Sequence, residues 1–513
     1  MLNKRIKIIL LFFCFFIINN FILADNPLIY QKYTADPNAF FYSGNNRMYI
    51  LCSHDLDGQD GYQMYDFTLI SSDDLVNWTD HGEVISVPRD ASWASLAWAP
   101  TMIYRNGYFY VYFGNGANNI GVLRSTSPTG PYTDPIGGPL ITRSMPNCNV
   151  AWLFDPAVFI DDDGQAYLYF GGGGAGNARV IRLNSDMISV NGSAVTIDAP
   201  QYFEAPYMHK RNGIYYFSYS SDFSQTSARI DYMTSNNPMT GFVYRGTILD
   251  NPPDNCWNNN HASIVNIGDN WYITYHTRRL STVINGISCD TAVYQRSVHL
   301  DRMYYNADGT IQKVNPTTSG VAQLKNVDPY TRIEAETMDR GSGIETEVCN
   351  EGGMDVGYIE NGDWIRVMRV DFGSGATSFE ARVASAGSGG NIELRLGSTT
   401  GTLIGTCSVP VTGGWQTWTT VTCSVSGATG VQDLFLRFTG GSGNLFNINW
   451  YRFYSGGTTP TRTRTPTPSF TRTSTATSIM TSTRTATPTQ TSTPLVQSVW
   501  RIRAGASSSY TDS

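Results

Sequence analysis

Charge is scarce in this 513-residue chain: Asp, Glu, Lys and Arg make up 15% of it, against 41% hydrophobic and 13% aromatic residues. The little charge leans acidic, with 35 Lys and Arg against 42 Asp and Glu, a net −7. Nucleic-acid binders carry a basic face, so no nucleic-acid partner is expected, nor any simple electrostatic attraction to acidic membranes. Cysteine numbers eight and histidine six, with no CxxC and no Cys/His cluster, which argues against a structural zinc site. Long apolar runs are absent beyond Ile8 to Ile18, too short for a membrane span and interrupted by Asn19 and Asn20. That run follows Lys4, Arg5 and Lys7 and leads to the small residue Ala24. The pattern predicts a secretory signal peptide over residues 1–24 and a secreted, extracellular product with no membrane attachment after cleavage. Loss of Cys14 with it leaves seven cysteines, so at least one lacks an intrachain partner. Cys407 and Cys423 flank GGWQTW and are expected to face each other across a hairpin.

Amphipathic helical patterns are scarce as well. Short strands rich in Tyr, Val, Ile and Phe alternate with turn signals up to about residue 455, so the expected fold class is all-β. Abundant Tyr, Trp and Gly (30, 11 and 49 residues) fit an extracellular protein that contacts sugars. Residues 456–495 are Thr, Pro, Ser and Arg without any acid, an extended linker that cannot bury a core. Residues 496–513, beginning VWRIRAG, read as the start of a third module, with a short resemblance to the opening of a malectin-like domain.

Between 25 and 327 the chain repeats itself. TADPNAFFYSGNNRMYIL, AWAPTMIYRNGYFYVYF, LFDPAVFIDDDGQAYLYF, FEAPYMHKRNGIYYFSY and NHASIVNIGDNWYITYH each read strand, turn, aromatic strand. Nine residues before the turns at Asn45, Gly107, Gly164, Gly213 and Asn270 stand Asp36, Trp98, Asp155, Glu204 and His261. Five repeats of 50–60 residues predict a five-bladed β-propeller, whose innermost strands line a central axis. Two Asp, one Glu, one Trp and one His are then expected in one axial pocket. Gathering buried carboxylates is costly unless they are paired or used, so the trio points to acid/base chemistry. Glycoside hydrolysis needs one such pair: an acid for the leaving oxygen and a carboxylate opposite it, with a gap for water when configuration inverts. Trp98 offers an apolar wall to a sugar.

These motifs carry a resemblance. TADP around Asp36, WLFDPAVFIDDDG around Asp155 and FEAP around Glu204 resemble glycoside hydrolase family 43. The resemblance implies an inverting glycosidase with Asp36 as general base, Glu204 as general acid and Asp155 as modulator. It places His261 near an axial calcium or sodium ion and Arg278, in YHTRR, beside substrate. SHDLDG, DDLVNWTDHG and SWASLAWAP look most like the branch that removes α-L-arabinofuranosyl groups from arabinoxylan, with β-xylosidase and arabinanase as alternatives of the same fold. A non-catalytic carbohydrate-binding propeller would have no need of the acid trio, and a sialidase-like one would show an arginine triad that the repeats lack.

Residues 328–455 differ in character. RIEAET, GGMDVGYIENGDWIRV, GGWQTWTTV and LFNINWYRF resemble carbohydrate-binding module family 6, a β-sandwich. The resemblance implies that Tyr358 and Trp415 sandwich a sugar ring and that Asn447 hydrogen-bonds it. Glu334 and Glu336 match a structural calcium site, where Asn449 replaces a frequent Asp. Trp364 and Trp418, inside alternating strands, are expected in the core. Calcium in both domains, no organic cofactor, and plant cell-wall xylan as partner complete the expectation.

Overall fold

The computed structural model describes residues 25–59, 61–221, 227–256 and 259–456; the expected leader, linker and third module lie outside them. The described chain is all-β, and its one helical segment is the single turn Leu280–Ile284. Five small antiparallel sheets follow one another, opening with strands Ala35–Tyr42, Trp98–Arg105, Ala157–Ile160, Tyr202–Arg211 and Ala262–Ile267. Within each sheet the strands pair in chain order, as short turns dictate. The opening strands touch in a cycle: each packs against the next, and Ala262–Ile267 returns to Ala35–Tyr42.

The sheets are apolar on both faces because each is covered twice. Leu51 and Phe67 of the first sheet share a core with Val111 and Phe113 of the second. Similar clusters join the second to the third, the third to the fourth and the fourth to the fifth. Ile50 and Ile70 meet Tyr272 and Val298 between the fifth and the first. Runs such as YFYVYFG, Tyr108–Gly114, therefore show no clean polar alternation.

The repeats do not share one register. In the first and third, Asp36 and Asp155 themselves take left-handed backbone angles (φ 48° each) before a proline. In the second and fourth that role falls to Ala99 and Ala205, one residue after Trp98 and Glu204. Turn length explains the offset. Two residues join Arg105 to Tyr108 and Arg211 to Ile214, whereas four join Tyr42 to Arg47 and five join Ile160 to Ala166. The pairing shifts at this point in the first, second and fourth sheets, so these strands carry a bulge that re-aims side chains at the axis.

After Met303 the chain packs through Ile311 and Val314 against the fourth and fifth sheets, reaches the first sheet at Val321 and Leu324, and enters two further sheets, of six and five strands, that enclose a single core including Ile365, Phe379, Leu436, Tyr451 and Phe453. Cys407 and Cys423 are bonded, with Cα atoms 5.1 Å apart. They do not face each other across a hairpin ladder: Thr402–Val409 and Gly414–Ser424 belong to opposite sheets, so the disulfide staples the two layers. Trp364 and Trp418 are half-buried rather than core, and the Trp418 indole donates to Asn350 Oδ1.

The two units are joined closely. Thr337–Met338 pairs with Trp78–Ser86 and completes the first sheet as its fifth strand. Asp80 is fully buried there, bonded to Lys32 and to Thr346 Oγ1. Burial opposes its charge, but Lys32, Thr346 and the Gly82 N–H prevail and hold its carboxyl below the usual range. Asp25 bridges Arg340 and Arg366, and Asn77 exchanges two hydrogen bonds with the Met368 backbone.

Candidate active site

All five residues predicted to converge do so: Asp36, Trp98, Asp155, Glu204 and His261 line one cavity of about 680 Å³. Each stands on or just before the opening strand of its sheet. Asp36 is 6% exposed and Asp155 5%. The Asp36 N–H donates to His276 Nδ1 at 3.2 Å, which pins its left-handed backbone. Arg296 Nη1 donates to Asp36 Oδ1 at 2.5 Å. The rest of that guanidinium is held by Asp55, from Nε and Nη2 at 2.8 Å each, while the Arg296 backbone N–H donates to Asp55 Oδ2. Asp36 thereby lies in an ion pair with a guanidinium that Asp55 fixes in place.

Asp155 and Glu204 have no such cation. Asp155 accepts the Ala205 N–H at 2.9 Å, but burial and then the Asp36 charge push its carboxyl up to about 8. Burial first, then Asp155 and Asp36, push Glu204 well above the ordinary carboxylate range. Burial and mutual repulsion thus favour a proton shared between Asp155 and Glu204, while Asp36 faces the Arg296 guanidinium. His261 lies between them, its Nδ1 3.6 Å from Asp36 and 4.0 Å from Asp155, and burial keeps the ring neutral.

One wall is aromatic. Trp98, fixed by its indole N–H to Tyr62 O, packs against Tyr62 and Phe154. Trp152 meets Phe154 and Phe203 edge-on. The other wall includes Cys256, Asn259 and Val293. Cys256 is bonded to Cys289, a pair no sequence signal indicated. Among the described residues Cys52, Cys148 and Cys349 are free and buried.

Arg278 is not where the resemblance implied. It is wholly buried, donating from Nε and Nη2 to Val293 O and from Nη1 to Asn255 Oδ1. It supports the wall from behind, and the guanidinium inside the cavity is Arg296. Sequence reasoning missed Arg296 and Asp55 because neither stands in the repeated position.

In the second unit Tyr358 (φ 57°) and Trp415 are half-buried, while Asn447 is 2% exposed and donates to Glu347 Oε1. Gln416 Nε2 also reaches Glu347, and the charges of Glu347 and Glu345 add to the burial that raises the Tyr358 phenol. Glu347, unnoticed in the sequence, thus binds Asn447 and the Gln416 side chain next to Trp415. Glu336 Oε2, Asn449 Oδ1 and Asp355 Oδ1 are buried acceptors with no donor, and burial pushes Glu336 well above its usual range. An acceptor-only set of this kind fits a hard cation. Glu334 departs from that set, being ion-paired with Arg332 at 2.7 Å. No three His, Cys, Asp or Glu side chains among the described residues are arranged to hold a metal unaided.

The family model of glycosyl hydrolases family 43 matches residues 24–311, and that of carbohydrate binding module (family 6) matches 334–455. The chain belongs to glycosyl hydrolases family 43. Its relatives include arabinoxylan arabinofuranohydrolases of Paenibacillus polymyxa (43% identical, covering 85% of this chain and 76% of that one) and of Bacillus subtilis strain 168 (44%, covering 84% and 92%). The crystal structure of a family 43 arabinoxylan arabinofuranohydrolase from Bacillus subtilis, complexed with cellotetraose, superposes with a TM-score of 0.78, at 44% identity over 84% of this chain and 97% of that chain. An α-L-arabinofuranosidase from Clostridium thermocellum is 56% identical over 57% of this chain and 98% of its own, with a TM-score of 0.51. Family 43 membership places the hydrolytic unit in the first five sheets, where the acid trio lies.

Proposed function

We propose that the protein is a secreted, inverting glycoside hydrolase that removes α-L-arabinofuranosyl side groups from arabinoxylan. The observation that carries this is the division of three buried acids in one cavity: Asp36 paired with Arg296, Asp155 and Glu204 left to retain a proton. Relatives named for that activity align across both units. The cyclic packing of five sheets supports a five-bladed propeller, and the two layers around one core support a jelly-roll sandwich.

Glu204 gives its proton to the departing glycosidic oxygen. Asp36 takes a proton from water through Oδ2, because Oδ1 is engaged by Arg296. Asp155 supplies the repulsion that keeps Glu204 protonated, and its own bond to the Ala205 N–H fixes the strand that carries Glu204. Trp98 covers the apolar face of the sugar. Water attacks opposite the leaving group, so configuration inverts. In the second unit Tyr358, Trp415, Asn447 and Glu347 form the sugar site, and Glu336 with Asn449 would hold calcium, an ion that neutralises their buried oxygens.

Incubation with arabinoxylan should release arabinose, and proton NMR of the first-formed sugar should show the inverted anomer. Release of xylose alone, or retention of configuration, overturns the reading. Asp36→Ala should lose about 10²–10⁴-fold on every substrate. Glu204→Ala should lose less on aryl glycosides, whose leaving groups need little protonation.

A further inference from the structure

A second cavity, of about 710 Å³, lies at the far end of the fourth sheet. Strand Tyr202–Arg211 spans the distance: Glu204 near its start faces the catalytic cavity, and Arg211 at its end lines the second one. Seven residue steps of strand separate them, about 23 Å at most. Other lining groups come from the Asn212 turn, the Thr234–Asn236 strand end, Arg245 and the 306–310 hairpin.

Two guanidiniums face this space without a carboxylate partner. Arg211 lies over the Tyr305 ring at 4.2 Å. That ring is itself fixed, its hydroxyl bonded to His209 Nε2 and its edge packed on Trp271 and Tyr216. Arg245 donates through Nε to Thr234 Oγ1, leaving its terminal nitrogens free to bind. Of the nearby acids, Asp308 lines the cavity and feels the Arg245 charge without forming an ion pair with it, its carboxylate accepting from Thr310 within its own turn; Asp231 pairs with Arg229, and Asp250 pairs with Lys313. The opposite wall is held by the Tyr216 hydroxyl donating to Gly309 O. Asn212, Asn236, Asn306 and Thr310 add amide and hydroxyl groups suited to sugar hydroxyls.

We propose that this cavity is a second polysaccharide site, selective for a chain bearing carboxylate (uronic acid) substituents. A planar guanidinium grips a carboxylate through two parallel N–H bonds, and one resting on an aromatic ring is already oriented for it. The molecule as a whole is acidic and repels an acidic polymer, so a local pair of unmatched cations is what admits one. The site goes beyond the proposed hydrolysis and rests on that reading only for the choice of xylan as the chain.

The test uses the full chain carrying Glu204→Gln, so that polymer survives, with and without Arg211→Ala plus Arg245→Ala. Binding is measured by affinity electrophoresis against glucuronoxylan and against the same polymer after reduction of its carboxylates to alcohols. Glucuronoxylan should bind about tenfold more tightly than the reduced polymer at low salt. The arginine replacements should abolish that preference and leave the reduced polymer's binding unchanged. Equal binding of the two polymers, or a preference that survives the replacements, overturns the proposal. So does inorganic phosphate displacing glucuronoxylan as well as a glucuronoxylan oligosaccharide does, since that would mark a plain anion site. In the chain with Glu204 intact, the two replacements should leave hydrolysis of p-nitrophenyl α-L-arabinofuranoside unchanged, so that failure of the hydrolase reading shows separately.

Discussion

Glu204 and Asp155 carry a stability cost that follows from their burial side by side. Both are raised above their unfolded values by burial and by neighbouring acids. A raised carboxyl contributes stability that is fully present below the unfolded value and lost as pH climbs toward the folded one. For Asp155 that window runs from about 3.8 to about 8. Asp155→Asn and Glu204→Gln should therefore raise Tm at pH 7–8, by about 2 °C for each 2 kcal/mol relieved in a cooperative unit of this size, and the gain should shrink toward pH 4. Asp155→Asn also removes a negative neighbour of Glu204, so Glu204 should lose its proton at lower pH. The alkaline limb of kcat/KM should move to lower pH; an unmoved limb would show that Asp155 does not tune the acid. The convergence of these acids was legible from the repeated spacing around TADP, FDPA and FEAP, because equivalent strand positions in successive sheets face one axis. Arg296 and Asp55 were not legible: the pair joins positions 241 residues apart, and only closure of the fifth sheet onto the first brings them together.

At the scale of elements, the turn-to-acid count succeeded for an instructive reason. The pocket residues were found from spacing, yet Trp98 and Glu204 stand one place before the left-handed residue, whereas Asp36 and Asp155 are themselves that residue. Longer turns in the first and third repeats compensate for that offset. Ala99 and Ala205 hold the left-handed angle at small steric cost, whereas a β-branched side chain there would be strained. The Cys407–Cys423 bond acts between elements too, joining the two layers at one edge of the second core. Replacing both cysteines by alanine should lower stability by about 2–4 kcal/mol, read as a shifted denaturation midpoint, while hydrolysis of a small aryl arabinofuranoside stays constant.

For the whole molecule, the junction between the units changes what a truncation can be expected to do. Residues 328–455 looked separable, since their motifs are self-contained. The structure gives one of their strands, Thr337–Met338, to the first sheet, and Gly82 leaves room for Met354 where any Cβ would collide with its sulfur. Calorimetry of residues 25–456 should accordingly show one cooperative transition. Arg340→Ala with Arg366→Ala releases Asp25 and leaves Asp339 buried beside no cation, and should lower Tm or divide the transition in two. A chain whose two units melt independently before any replacement would show that the junction does not couple them.

Local pattern by itself determined the all-β class, the five repeats, the gathering of three acids and the two-unit plan, because strand periodicity, turn residues and repeat spacing are short-range features of a chain. Tertiary structure decided what depends on long-range closure. It chose Arg296 over Arg278 as the cation in the cavity and paired Cys256 with Cys289. It left Trp364 and Trp418 half-buried and bound the second unit to the first sheet. Charge pairing and desolvation act through space, and residues hundreds of positions apart enter them on equal terms with neighbours.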